Sequence, residues 1–194
     1  MPQFDHFAVI APLYARVTYS KTNILREVAA LPVKGRLLDV GGGTGRVSSA
    51  IRNLVDEVVI ADVSFGMLKE THRAATSTPL SASLKPVCGG SESLPFADNS
   101  FERIIMVDAL HHVVNHAKSA REMFRLLKPG GLLVIEEPDI RTFGVKMIAI
   151  AEKLLLMRSH FLAPDEIVKL FASFASGEKN IKTEDGTAWV VIKK

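Results

Sequence analysis

The 194-residue chain contains a single cysteine, Cys88, so no internal disulfide can form and a disulfide-stapled secreted scaffold is excluded. It has no block of like charge. The net charge of +3 comes from basic residues spread along the chain, which describes a mildly basic solvated surface better than a nucleic-acid-binding arm. Long hydrophobic runs are missing too. The most apolar late stretch, "VKMIAIAEKLLLM", is broken by Glu152 and Lys153 and falls short of the roughly 18 uncharged residues of a membrane span. At the N-terminus, "MPQFDHFAVIAP" places Asp5 where a signal peptide needs a basic and then an apolar region, so a reducing cytoplasm is the expected location. His6, His72, His111, His112, His116 and His160 are not spaced as a zinc site, and the carboxylates carry no magnesium signature; no metal is expected.

What is present is a composition of 47% hydrophobic and 23% charged residues, enough to bury a sizeable core in one medium domain. The pattern alternates. "GRLLDV" is a short β-type run, "GRVSSAIRNLV" has helical spacing, "DEVVIAD" is β-type, and "SFGMLKETHRAA" is helical. The series continues with the strands "SLKPVC" and "FERIIMVDA", the helix "HAKSAREMFRLL" stopped by Lys128, Pro129, Gly130 and Gly131, and the strand "LLVIEE". One or two helices are expected between about Val145 and Phe174. After them, "KNIKTE" and "TAWVVIKK" flank Asp185-Gly186, which reads as an antiparallel hairpin. Alternation of this kind implies an α/β fold, a mostly parallel doubly wound sheet with helices on both faces. "SKTNILREVAAL" reads as a helix ended by Pro32, which gives an N-terminal helical cap over residues 1–34 and a main domain over residues 35–194.

Four glycines in "LLDVGGGTGRV" join the first strand to the first helix, the place where a doubly wound sheet receives nucleotide-like ligands. Their spacing discriminates among such ligands. A dinucleotide fingerprint begun at Gly41 needs Gly or Ala at position 46, which is Arg46; begun at Gly43 it meets Ser48. The pattern present is Asp39, Val40, Gly41, Gly42, Gly43, Thr44, Gly45.

These residues resemble the first motif of the class I S-adenosylmethionine-dependent methyltransferases, in particular the type 11 branch that includes quinone-biosynthesis C-methyltransferases. "VVIADVSFGML" is similar to the family's second strand and turn, "SLPFADNSFERIIMVDALHHV" to the surroundings of its fourth strand, and "LLKPGGLLVIEEP" to its fifth, all in family order over about residues 35–140. The resemblance implies a Rossmann-like, seven-stranded sheet whose C-terminal hairpin is antiparallel, with S-adenosyl-L-methionine as cofactor. It further implies that Gly41, Gly42, Gly43 and Gly45 bring backbone close to the amino-acid and ribose portions, and that Asp39 holds the loop and the ammonium end, or caps the turn only. Asp62, 21 residues beyond Gly41, becomes the acceptor for both ribose hydroxyls, or else a helix N-cap. Val63 and Met67 flank the adenine, Met67 equally suiting the core.

This chain departs from the family pattern at Gly90, where an aspartate usually accepts from the adenine amino group; Ser91 and Glu92 are the candidate substitutes. Asp108, at the end of the fourth strand, faces the expected methyl-transfer site as cofactor ligand, base or substrate anchor, or bonds the neighbouring loop. His111 and His112 are candidate bases or structural neighbours of the cofactor. Of Glu136 and Glu137, strand alternation sends one to the site and the other to packing or capping. No Asn/Asp-Pro-Pro-Tyr/Phe tetrapeptide follows the fourth strand and Cys88 lacks a Pro-Cys setting, which argues against methylation of nucleic-acid bases.

The N-terminal segment "FDHFAVIAPLYARV" is similar to the family's ligand cap and is expected to act as a lid over residues 4–19. The insertion "DIRTFGVKMIAIAEKLLLMRSHFLAPDEI" suits core burial, a hydrophobic acceptor or a homodimer interface. The expected activity is methyl transfer to a small, lipophilic molecule. The alternatives are an RNA- or protein-modifying methyltransferase, marked by a basic patch of Arg16, Lys21, Arg46 and Arg141, and a non-catalytic partner that keeps the fold, credible because of Gly90. An oxidoreductase is disfavoured by Arg46.

Overall fold

The structure is a computed structural model and describes residues 21–76, 84–154 and 159–194. The elements run α1 (Thr22–Val28), β1 (Arg36–Val40), α2 (Arg46–Ile51), β2 (Glu57–Asp62), α3 (Phe65–Thr76), β3 (Leu84–Cys88), β4 (Phe101–Val107), α4 (His116–Leu126), β5 (Leu127–Pro138), α5 (Phe143–Leu154), α6 (Pro164–Lys169), β6 (Lys179–Glu184) and β7 (Thr187–Lys193). They form a 7-stranded sheet in the order β3-β2-β1-β4-β5-β7-β6. Strands β1 to β5 pair in parallel, while β7 runs antiparallel to both β5 and β6.

The central strands read as unbroken apolar runs because both of their faces are covered. Alternate residues serve two cores. Leu38, Val40, Ile104, Met106, Leu133 and Ile135 pack with α4 and α6, and Leu37, Val58, Ile60, Ile105, Val134 and Trp189 pack with α1, α2 and α3. The described part of the N-terminal cap is therefore a packed layer: Leu25 and Ala29 are fully buried, and Arg103 Nε donates to the Ala29 carbonyl at 2.6 Å. The expected lid over residues 4–19 lies outside the described residues. Asp185 and Gly186 both have positive φ, 47° and 73°, the conformation of a two-residue type I′ turn, and they close the β6–β7 hairpin.

One boundary differs from the sequence reading. Helix α4 ends at Leu126 before the Lys-Pro-Gly-Gly stretch, and β5 already begins at Leu127, which pairs with Phe101. The register then shifts so that Arg103 meets Leu132, and Pro129, Gly130 and Gly131 occupy that irregularity. The helix is thus stopped by the extended backbone of Leu127, and the glycines shape a strand entry.

Candidate active site

The glycine loop leaves β1 at Val40 and is fixed to the neighbouring strand: the Gly41 and Gly42 amides both donate to the Ala61 carbonyl, at 2.7 and 3.3 Å. A Cβ at Gly41 would lie 2.6 Å from the Ala109 methyl, and one at Gly42 would lie 2.7 Å from the Asp39 carboxyl group. Crowding by the protein's own atoms thus accounts for these two glycines. Gly43, at φ +54°, faces Asp62 Oδ2 and Met67 Sδ, each 3.8 Å from where a Cβ would stand. Its carbonyl accepts from Thr71 Oγ1 on α3 at 2.7 Å.

Two carboxylates lie at the loop, Asp62 bonding its backbone and Asp39 bonding the helix that follows it. Asp39 is almost wholly buried and its Oδ2 accepts from Ser48 Oγ at 2.6 Å. Burial raises its pKa to about 6, against the lowering pull of the Ser48 hydrogen bond and the Arg46 charge. Asp62, at the end of β2, accepts from the Gly43 amide through Oδ2 at 2.9 Å and from the Ser64 amide through Oδ1 at 2.8 Å. The helix cap falls to Ser64, whose Oγ accepts from the Met67 amide at 3.2 Å.

Val63 stands 70% exposed on the rim, whereas Met67 is buried behind the loop. Across the rim, a Cβ at Gly90 would meet Glu92 Oε2 at 3.3 Å and Val63 Cγ1 at 3.6 Å. The Glu92 carboxylate therefore leans over the position left bare by Gly90. Ser91 Oγ shares a 2.6 Å hydrogen bond with Ser119 Oγ on α4.

Asp108 follows β4 in a left-handed conformation, φ +51°, and its Oδ2 accepts from Arg46 Nη2 at 2.7 Å. Beyond it, a 3-10 turn at Leu110–His112 is organised by Glu137: Oε1 accepts from the Ala109 and Leu110 amides at 2.9 and 2.7 Å, and Oε2 lies 2.5 Å from His111 Nδ1. Strand alternation sends Glu136 to the other face, where it accepts from Trp189 Nε1 at 2.7 Å. Both glutamates are buried, so neither one is an open wall of the crevice. The buried His111 ring stacks on Phe161 with centroids 4.3 Å apart, and His112 Nδ1 lies 3.3 Å from Ser159 Oγ. Burial first, and His111 second, push the His112 pKa down to about 4; desolvation also lowers that of His116.

Asp39, Gly41, Gly42, Gly43, Gly45, Asp62, Met67 and Asp108 thus converge at the carboxyl ends of β1, β2 and β4. The strand order reverses between β1 and β4, which makes this the switch-point crevice of the sheet. Val63, Ser91 and Glu92 form its outer rim, and His111 and His112 stand in the 3-10 turn that follows Asp108, against Glu137, Phe161 and Ser159. Sequence reasoning missed Ser48 and Thr71, which support the loop, and the role of Arg46. A serine on the apolar face of a short helix was the only available sign of the first.

A family model described as a methyltransferase domain, type 11, matches residues 38–135. The chain belongs to that family. This methyltransferase domain is 37% identical over 105 residues to the ubiquinone/menaquinone biosynthesis C-methyltransferase of Cronobacter sakazakii, covering 53% of this chain and 42% of that protein. It is 34% identical over 137 residues to the protein of the same name from Coxiella burnetii, covering 68% and 55%. The chain therefore spans about half the length of the curated relatives it matches. A solved SAM-dependent methyltransferase from Aquifex aeolicus superposes with a TM-score of 0.72 at 16% identity, covering 98% of this chain and 100% of that one, a likeness of fold. Among the described residues no group of His, Cys, Asp and Glu is arranged to hold a metal ion, and no helix is long and apolar enough to cross a membrane.

Proposed function

We propose that this methyltransferase domain uses S-adenosyl-L-methionine to methylate a small, lipophilic acceptor. The observation that carries the reading is Asp62, whose carboxylate bridges the glycine loop and the start of α3 at the switch point of the sheet, the position from which an acidic side chain accepts from ribose hydroxyls. When bound, the cofactor supplies an electrophilic methyl group on a sulfonium. This chain's residues would bind and orient it: Asp62 at the ribose, Asp39 through the loop at the ammonium end, and Val63 and Met67 beside the adenine. Glu92, leaning over Gly90, takes the role of acceptor for the adenine amino group, with the Ser91 amide beside it.

Displacement at carbon needs alignment more than a dedicated base. His112, unprotonated at neutral pH because it is desolvated, is too weak a base to need a proton-transfer role. His111, locked to Glu137 and Phe161, serves as a wall. The acceptor class rests on the names of the 34–37% identical relatives and on α5, where Phe143, Met147 and Ile150 are 80%, 50% and 53% exposed at helical spacing. The insertion is therefore only partly core. The same stripe would serve a homodimer, and the reading places the protein in the cytoplasm.

Calorimetry with S-adenosylmethionine, S-adenosylhomocysteine and NADH tests the cofactor, with binding of the first two alone expected. Affinity for NADH and neither of the others would overturn it. Transfer of a labelled methyl group to prenylated hydroquinones but not to RNA or protein is the expected result for the acceptor.

A further inference from the structure

The sheet ends in two edge strands, β3 and β6, and they are treated differently. β3 carries Pro86 in mid-strand, which has no amide to offer a neighbour. β6 has no proline and runs beside β7 in one unbroken register, from Lys179↔Ile192 to Glu184↔Thr187. The Glu178 carbonyl accepts from the Lys193 amide at 3.0 Å, so the even-numbered backbone groups along this edge point inward to β7. Those of Lys179, Ile181 and Thr183 therefore point outward, and among the described residues they form an open row. Lysines usually guard such an edge. Here both are drawn aside. The Lys179 ammonium donates to the Ala175 and Gly177 carbonyls, and that of Lys182 pairs with Glu27 of α1 at 2.8 Å. Between them, Ile181 is left 44% exposed.

We propose that β6 pairs antiparallel with β6 of a second copy of this chain, about a two-fold axis through Ile181, joining the two 7-stranded sheets edge to edge. The strand's own sequence selects that partner and that register. Residues facing each other in a sheet lie on the same side of it, so an axis relating two identical antiparallel strands must pass through a residue. Centred on Ile181, outward backbone meets outward backbone. Ile181 then bonds Ile181 of the second copy, Lys179 bonds its Thr183, the two exposed isoleucine side chains pack together, and Asn180 faces Lys182. Centred on Lys182, the pairing sets two ammonium groups opposite each other, which is destabilising. Centred on Asn180, it sets each Ile181 against a lysine stem. The axis stands normal to the sheet, so the carboxyl edges of the two parallel strand sets face opposite ends of the assembly. Neither copy contributes to the other's crevice, and pairing and cofactor binding are independent.

Sedimentation velocity on the full chain at micromolar concentration should give a species of twice the mass of one chain. Ile181→Asp, which puts two carboxylates on the axis, should sediment as a monomer, and so should Ile181→Lys. Mixed in equal amounts, the two variants should recover the dimer, because the axis then carries one charge of each sign. Met147→Asp, on the exposed stripe of α5, should leave the dimer intact. Thermal unfolding of each variant shows whether the fold is kept. If position 181 does not tolerate a charge, the exposed Thr183 decides: Thr183→Lys faces Lys179 of the second copy and should weaken the dimer at least tenfold. A monomeric wild-type chain, a dimer that persists in folded Ile181→Asp, a mixture that stays monomeric, or a dimer lost with Met147→Asp would each overturn the assignment. So would an unweakened dimer in folded Thr183→Lys.

Discussion

Asp62 and Asp39 are both acidic residues at strand ends, yet their surroundings give them opposite chemistry. Asp62 is partly open and accepts from two amides, which stabilise its charged form at the rim of the crevice. Asp62→Ala should weaken S-adenosylmethionine at least tenfold by calorimetry, because a charge-assisted hydrogen bond is worth roughly 1.5–3 kcal/mol and two are lost before water compensates. An unchanged dissociation constant in a folded variant would remove the ribose assignment. Asp39 is sealed in, and its pKa rises from 3.8 to about 6. A raised carboxylate pKa means the folded state holds the proton more tightly between those values, so this residue's contribution to stability falls as pH rises from about 4 to 6. The full effect is on the order of 3 kcal/mol at 1.36 kcal/mol per unit. The lowered pKa of His112 has the opposite sign, opposing folding as pH drops from 6.5 towards 4, so the wild-type profile mixes the two. The difference between Asp39→Asn and wild type isolates the aspartate: the variant should gain relative stability at pH 8 and lose that advantage below pH 6, as read by urea unfolding. Its affinity for S-adenosylmethionine should drop at every pH.

At the scale of elements, the loop and the hairpin are each fixed by a few contacts that can be probed. Gly41 combines φ +72° with a Cβ position 2.6 Å from the Ala109 methyl. Gly41→Ala should cost roughly 1–3 kcal/mol through backbone strain, with the clash added. Pairing it with Ala109→Gly should recover the clash but not the strain, and a complete recovery in urea melts would show that φ is not the constraint. The β6–β7 hairpin is anchored by Trp189, fully buried, whose indole N–H meets the buried Glu136. Trp189→Phe keeps most of the apolar contact and takes away a donor, so a loss of about 1–3 kcal/mol is expected. Glu136→Gln in the same background should return part of it, because a neutral amide tolerates the missing donor better than a carboxylate does.

For the whole molecule, two cores on either side of one sheet hold the crevice at its carboxyl edge, and a ligand there is linked to global stability. With S-adenosylhomocysteine at about 100 times its dissociation constant, the folded state gains about 2.7 kcal/mol. For a chain of this size that corresponds to a melting temperature raised by roughly 5–10 °C. NADH at the same concentration should leave it unchanged. Scanning calorimetry gives both values, and a shift with NADH alone would reverse the cofactor choice.

By itself, the sequence determined the alternation of elements, because strands buried on both faces and amphipathic helices leave different periodicities. It marked the crevice proposed for the cofactor, because Asp39, the glycines and Asp62 are adjacent to strand ends in the chain. Contacts across the sheet were beyond its reach. Nothing in "GRVSSA" says that Ser48 will satisfy a buried Asp39, or that Arg46 will cross the loop to Asp108, 62 positions away. The fate of Glu136 and Glu137 was half legible: the period of a strand separates their faces, but only packing supplied Trp189 to one and His111 to the other. The reason is physical. Periodicity is a local property of the backbone, whereas the partner of a buried charge is whatever group the fold brings within about 3 Å, and that distance is set by the tertiary structure alone.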